Sequence, residues 1–86
     1  MNKIAIIGID GYGKYYDDVK WCEAHNIDFD IYTYPKNITE LELEEEIEHL
    51  LECYCGARIA RPLPPHIRHE VAFPQIKKQR RLKYYA

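Results

Sequence analysis

The stretch IAIIGIDGYGKYYDDVKW, residues 4 to 21, passes from an apolar run through a glycine-rich turn into an amphipathic segment. This order predicts a buried strand that leads into a helix, a junction where functional groups are common. Glycines before a helix suit phosphate binding, because their N–H groups approach an anion closely. Gly8, Gly11 and Gly13, however, follow G-x-x-G-x-G rather than G-x-G-x-x-G, and Tyr15 stands where the phosphate loop needs Ser or Thr. The pattern therefore favours turn glycines over a nucleotide site.

The length predicts one domain, residues 1–86, and the lack of a membrane-span or signal-peptide pattern predicts a cytoplasmic protein. A net charge of −2 gives no overall attraction to nucleic acid. The chain has no apolar run near the ~20 residues of a membrane span, and its first residues do not resemble a signal peptide, so no membrane partner is expected. Charge is nevertheless segregated, because residues 40–52 are rich in Glu and residues 77–83 are rich in Lys and Arg.

The first part of the chain predicts a strand, a helix and a strand. Residues 3–9 are a nearly continuous apolar run, as in a central strand buried on both faces. Apolar residues at helical spacing predict an amphipathic helix from about 14 to 25, with Asn26 as a left-handed cap. Residues 27–34 alternate apolar and polar before Pro35 and predict a half-buried strand. The long crossover between the two strands predicts that they are parallel.

A second helix is predicted from its capping residues. Thr39 and Glu42 form a T-x-x-E capping box, and Gly56 is placed at the helix end. The helix carries one apolar stripe, formed by Leu43, Ile47, Leu50, Leu51 and Tyr54.

The remaining sequence predicts a loop and a hairpin. Prolines break residues 57–73 into a loop with one short turn near His66. Residues 75–78 and 81–85 are candidate strands joined by a polar turn, which predicts an antiparallel pair. The resulting element order is β-α-β-α-β-β, in an α/β fold with a mixed four-stranded sheet.

Residues 71–76, VAFPQI, resemble the segment that opens the third strand of glutaredoxins. Together with the element order, the resemblance implies a thioredoxin-like fold of the glutaredoxin type, without its third helix. It implies that Pro74 is a cis-proline and that the backbone of Phe73 faces the active-site turn. In that family such backbone groups pair with an extended partner.

The resemblance also implies that the glutaredoxin chemistry is lost. The C-x-x-C turn of that family aligns with Tyr12, Gly13, Lys14 and Tyr15, and a phenol cannot replace a reactive thiolate. Where the family has a Gly-Gly pair and a third helix that bind glutathione, this chain has Tyr84 and Tyr85. Neither glutathione nor any other cofactor is therefore expected.

Other residues offer weaker chemical alternatives. Cys53 and Cys55 are the alternative catalytic pair for a thiol-disulfide oxidoreductase, whereas Cys22 suits a buried thiol on the first helix. His66 and His69 together with cysteines have no standard zinc spacing, so no metal site is predicted.

Charged residues give two further alternatives. Asp10, Asp17 and Asp18 offer carboxylates near the turn, although acidic residues at a helix N-terminus also stabilise its dipole. The basic segment 77–83 makes nucleic-acid binding the third candidate function, with weak support on a net-acidic chain.

The sequence thus predicts a redox-inactive glutaredoxin-like module that binds a protein partner. The predicted binding residues are Tyr12, Gly13, Lys14, Tyr15, Phe73, Pro74, Tyr84 and Tyr85. Tyrosines combine large apolar area with a hydroxyl and are common at interfaces. Exposed Trp21, Tyr84 and Tyr85 also offer a surface for a homodimer.

Overall fold

The computed structural model describes residues 3–67, which form a three-stranded parallel sheet with two helices. The elements are β1 (Lys3–Ile9), α1 (Tyr16–Ala24), β2 (Asp28–Tyr34), α2 (Glu40–Cys53) and β3 (Gly56–Ile59). The strand order is β2-β1-β3, and β1 is parallel to both of its neighbours. The α/β class, the central position of β1 and its parallel pairing with β2 are confirmed. Among residues 3–67, no helix is long and apolar enough to cross a membrane.

The side chains of β1 supply the core on both faces of the sheet. Ile7 and Ile9 pack with α2 and with Ala57 and Ile59 of β3. Ile4 and Ile6 pack on the opposite face with Cys22 of α1. Because successive strand residues point to opposite faces, an unbroken apolar run needs one helix on each side.

The boundaries of α2 follow from its capping groups. The Thr39 side chain accepts a hydrogen bond from the Glu42 N–H at 3.1 Å, and the Glu42 carboxylate accepts one from the Thr39 N–H at 3.0 Å. The predicted capping box is confirmed, and its bond from the Thr39 backbone lowers the pKa of Glu42. Asn26, with φ 55°, has the predicted left-handed conformation just after α1.

The structure corrects the predicted course of the chain after α2. The helix ends at Cys53, and Gly56 begins β3 instead of capping the helix. The predicted loop over 57–73 is therefore wrong at its start, because residues 57–59 pair with β1 in the register Ile4↔Gly56 to Ile7↔Ile59. A hydrogen bond from the Ile67 N–H to the Pro64 carbonyl closes a turn that contains His66, as expected.

The thioredoxin-like topology is not found in the described residues. The third strand in chain order is β3, which follows α2 directly and is parallel to β1, so the prediction of the third strand at 75–78 is wrong. The predicted cis-proline, Pro74, and the hairpin strands 75–78 and 81–85 lie outside the described residues. A cis peptide bond is present at Arg61–Pro62.

A buried ion pair joins α1 to β3. The Arg58 Nε donates to the Asp18 Oδ1 at 2.8 Å, and each side chain is only 12% exposed. The Arg58 guanidinium also lies 4.2 Å from the centre of the Trp21 ring. Asp18 is thus an ion-pair partner within the fold, and Trp21 is half-buried instead of exposed as predicted.

A close backbone contact fixes the loop after β1. A Cβ atom added at Gly13 would lie 2.4 Å from the Ala60 carbonyl oxygen, just beyond β3. No side chain fits at that distance without a shift of the backbone. Gly13 therefore lets the loop after β1 rest directly on the chain that leaves β3.

We expect Gly13→Ala to lower the free energy of unfolding by about 1–3 kcal/mol, because the new methyl group overlaps the Ala60 carbonyl. Urea denaturation followed by circular dichroism measures the change. Gly8→Ala is the matched control, since its Cβ would meet the Tyr15 ring at an ordinary 3.4 Å. Equal stability of the Gly13→Ala and Gly8→Ala proteins would contradict the close contact.

We expect Arg58→Met to lower the free energy of unfolding by about 3 kcal/mol, because it leaves the Asp18 carboxylate buried without its cation. The double variant Asp18→Asn/Arg58→Met should be more stable than Arg58→Met alone, since it leaves no charge to compensate. A double-mutant cycle in urea measures this coupling. Strictly additive effects of the two substitutions would show that the pair does not interact.

Candidate functional site

The candidate site lies at the carboxyl ends of the parallel strands. β2 and β3 flank β1 on opposite sides, so the chain crosses from one side of β1 to the other between them. In open α/β sheets, ligands bind outside the carboxyl ends of the strands at such a reversal. We define the carboxyl rim as residues 10–16, which follow β1, and residues 60–62, which follow β3. The predicted binding residues Tyr12, Gly13, Lys14 and Tyr15 all lie on it.

Two half-buried tyrosines hold the first part of the carboxyl rim in place. Tyr12 packs against the core on the α2 face of the sheet, and Tyr15 packs against the core on the α1 face. The Tyr12 N–H donates to the Ile9 carbonyl at 3.0 Å, and Gly11 between them has φ 81°. The loop thus passes over the end of β1 with one ring on each face and Gly13 in contact with Ala60.

The exposed groups of the carboxyl rim carry charge of both signs. Lys14 and Arg61 are exposed cations, and Asp10 and Asp17 nearby are exposed anions. Tyr16 is 65% exposed, with its ring centre 5.5 Å from that of Tyr15. Such a mixture of tyrosine and both charges suits a polar protein surface better than a polyanion.

The first turn of α1 is poorly suited to a phosphate group. The helix begins after Tyr15 without a side-chain cap, and Asp17 and Asp18 occupy its first turn. Asp18 is neutralised by Arg58, but Asp17 remains an exposed carboxylate where a phosphate would have to lie. This arrangement agrees with the interpretation of the glycines as turn residues.

The other predicted site residues are divided between described and undescribed parts of the chain. Phe73, Pro74, Tyr84 and Tyr85 lie outside the described residues, so their proposed contacts stay predictions, as does the basic segment 77–83. His66 is described, and its Nε2 donates to the Ile38 carbonyl at 2.7 Å. Its proposed partner His69 lies outside, and no group of three or more metal-ligating side chains occurs within residues 3–67.

The three cysteines occupy different environments, and no disulfide joins them. Cys22 is buried, and burial raises the pKa of its thiol. Cys53 lines a pocket with Tyr32 and Tyr54 on the α2 face, whereas Cys55 packs against the core on the α1 face. The redox role of Cys53 and Cys55 stays a prediction, and their positions on opposite faces disfavour it. Both also lie at the amino ends of the strands, since the Cys55 N–H donates to the Lys3 carbonyl.

A hydrogen-bonded network joins β2 to the end of α2. The Tyr54 hydroxyl donates to the Asp30 Oδ2 at 2.6 Å, and the Lys3 Nζ lies 3.2 Å from the same oxygen. Because Tyr54 donates its only proton to Asp30, the Tyr32 hydroxyl at 2.6 Å must donate to Tyr54. The bond to Asp30 raises the pKa of Tyr54, so its phenol stays protonated at neutral pH. The network therefore ties β2 to the residue that follows α2.

Sequence reasoning missed part of the carboxyl rim. Ala60 and Arg61 were assigned to a long loop, so nothing placed them beside Gly13. The signal that could have found them is the short segment GARI, residues 56–59, directly after a well-marked helix. The charged Arg58 interrupts the apolar pattern of this segment. The structure tolerates this charge because it is paired with Asp18 inside the fold.

Comparison with known proteins points away from glutaredoxins. No protein-family model and no curated protein matches the chain. The chain is similar to the crystal structure of the bifunctional enzyme FolD, methylenetetrahydrofolate dehydrogenase/cyclohydrolase, from Campylobacter jejuni. The TM-score is 0.66 with 28% sequence identity, over 81% of this chain and 27% of the enzyme. The chain thus matches about a quarter of the length of FolD.

The proposed resemblance to glutaredoxins is wrong. The similar structure is a FolD enzyme with a Rossmann-like fold, and the described sheet is parallel throughout. The resemblance implies that VAFPQI opens the third strand, but that place in the order belongs to Gly56–Ile59. A match of a few residues around a proline arises readily between unrelated chains, whereas strand order and direction constrain the whole fold.

Proposed function

We propose that this chain is a non-catalytic protein-binding module that engages its partner through the carboxyl rim. The observation that carries the proposal is the contact of Gly13 with Ala60, which brings two loops into one fixed surface. Its exposed side chains include Tyr16, Lys14 and Arg61. Tyrosine and arginine are the residue types that most often dominate protein interfaces.

The shape of the carboxyl rim favours a protein partner over a small ligand. In a nucleotide-binding sheet, glycines leave room for a ligand to approach the backbone. Here the space at Gly13 is taken by the Ala60 carbonyl of the same chain. The tyrosines on either side of Gly13 are packed into the two cores, so the loop is already rigid before it binds. A pre-organised surface loses little conformational entropy on association.

We expect Lys14→Glu/Tyr16→Ala to weaken partner binding by about tenfold or more, which corresponds to loss of about 1.4 kcal/mol. The tagged protein captures proteins from extracts of its source cells, and quantitative mass spectrometry compares the variant with the unaltered chain. The affinity of each purified candidate partner is then measured by calorimetry.

His49→Glu is the control for this experiment. His49 is exposed on α2 and lies with Lys3 at the amino ends of the strands, so the substitution adds a negative charge without touching the proposed surface. A true partner should be lost with the rim variant and retained with the control. If no captured protein distinguishes the two variants, the rim is not the binding surface.

A second candidate function, the binding of a folate, is favoured by the similarity to FolD. The match at 28% identity covers 81% of this chain, and FolD is a methylenetetrahydrofolate dehydrogenase/cyclohydrolase. We propose on this ground that the carboxyl rim binds a reduced folate. The exposed cations Lys14 and Arg61 would then face the anionic end of the ligand.

If the chain binds a folate, we expect the ligand to stabilise the folded protein against heat. Methylenetetrahydrofolate that binds the folded chain should raise the melting temperature progressively with ligand concentration, because binding shifts the folding equilibrium. Lys14→Glu should remove the rise, and His49→Glu, at the amino ends of the strands, should keep it. A melting temperature that does not change up to millimolar ligand, with partner capture intact, would leave only the protein-binding proposal.

A further inference from the structure

The outer edge of β2 carries a self-complementary sequence. Among residues 3–67, β2 pairs on one side only, with β1. The strand reads DFDIYTY, has no proline or lysine, and exposes Ile31 by 40%. Edge strands of soluble proteins are commonly protected by such residues, by bulges or by a cover. Within residues 3–67 nothing pairs with this edge of seven residues, and such an edge is a template for a further strand.

The hydrogen bonds to β1 show which groups of β2 point outward. The Asp10 N–H donates to the Tyr34 carbonyl at 2.8 Å, so the backbone groups of Tyr34 point toward β1. Backbone groups alternate in direction along a strand. The N–H and C=O groups of Phe29, Ile31 and Thr33 therefore point to the outer edge.

We infer that β2 is the interface of a homodimer, in which two copies join their sheets by antiparallel pairing centred on Ile31. In this register Ile31 faces Ile31 of the second copy, and Phe29 faces Thr33. All of these residues have outward backbone groups, so each pair exchanges two N–H···O bonds. The apolar side chain of Ile31, exposed in one copy, is covered in two.

The side chains of β2 favour the register with its axis at Ile31 over the two registers that are shifted by one residue. With the axis at Ile31, Asp28 faces Tyr34 and Asp30 faces Tyr32, so no carboxylate meets another. A shift of the axis to Asp30 brings two copies of that carboxylate together, and like charges opposite one another are destabilising. A shift to Tyr32 places Phe29 opposite Pro35, which lacks an N–H. Self-complementarity of this kind is what a twofold interface requires.

The inference concerns β2 and does not depend on the partner proposed for the carboxyl rim. Sedimentation equilibrium of the full chain should show a mass that rises from one chain to two with increasing concentration. Ile31→Lys should raise the dissociation constant at least tenfold, because it places two ammonium groups at the axis. Leu41→Lys, at an exposed apolar residue of α2, is the matched control and should leave dimerisation unchanged.

Disulfide trapping tests the register independently of side-chain effects on stability. The background is Cys53→Ser/Cys55→Ala. In the proposed dimer, the Cα atoms of the two Ile31→Cys residues lie about 5.5 Å apart, which is within the range of a disulfide. The Cα atoms of two Thr33→Cys residues would be offset by about 13 Å along the strands, which is too far for a disulfide. With diamide as the oxidant, Ile31→Cys should form a covalent dimer much faster than Thr33→Cys. A monomer at every concentration, or equal trapping of the two variants, would overturn the inference.

Discussion

The burial of β1 on both faces is the constraint on which the rest of the structure depends. Its isoleucines alternate between two cores, so each face must be closed by a different helix. If both crossovers are right-handed, α1 and α2 cover opposite faces only when β2 and β3 lie on opposite sides of β1. The order β2-β1-β3 and the meeting of two loops at the carboxyl ends follow from that requirement.

The same constraint separates what could be read from the sequence from what could not. β1, α1, β2 and α2 each have a local signal: an apolar run, helical spacing, alternation, and a capping box. The signal of β3 is weak, because its four residues include Arg58, whose charge is paired with Asp18 from a distant part of the chain. A pairing between residues so far apart leaves no periodic trace in the sequence.

The sequence selects part of the candidate surface, through a resemblance that the comparison with FolD contradicts. Tyr12, Gly13, Lys14 and Tyr15 were selected by alignment with a family to which the chain does not conform, yet they lie on the carboxyl rim. Their position follows from a general rule, since loops that leave the carboxyl ends of parallel strands form the binding surfaces of α/β sheets. Ala60 and Arg61 could not be selected without β3, so the part of the surface that follows β3 was missing from the prediction.

The buried pair of Asp18 and Arg58 explains how such a small fold keeps its layers in register. Asp18 belongs to α1 and Arg58 to β3, the strand on the far side of β1 from β2. Their contact, covered by the Trp21 ring, ties the α1 face across β1 to β3. One guanidinium nitrogen, the Arg58 Nη1, is buried without a hydrogen-bond partner, which costs free energy. The pair therefore serves the placement of α1 more than overall stability, and α1 in turn positions Tyr16 on the carboxyl rim.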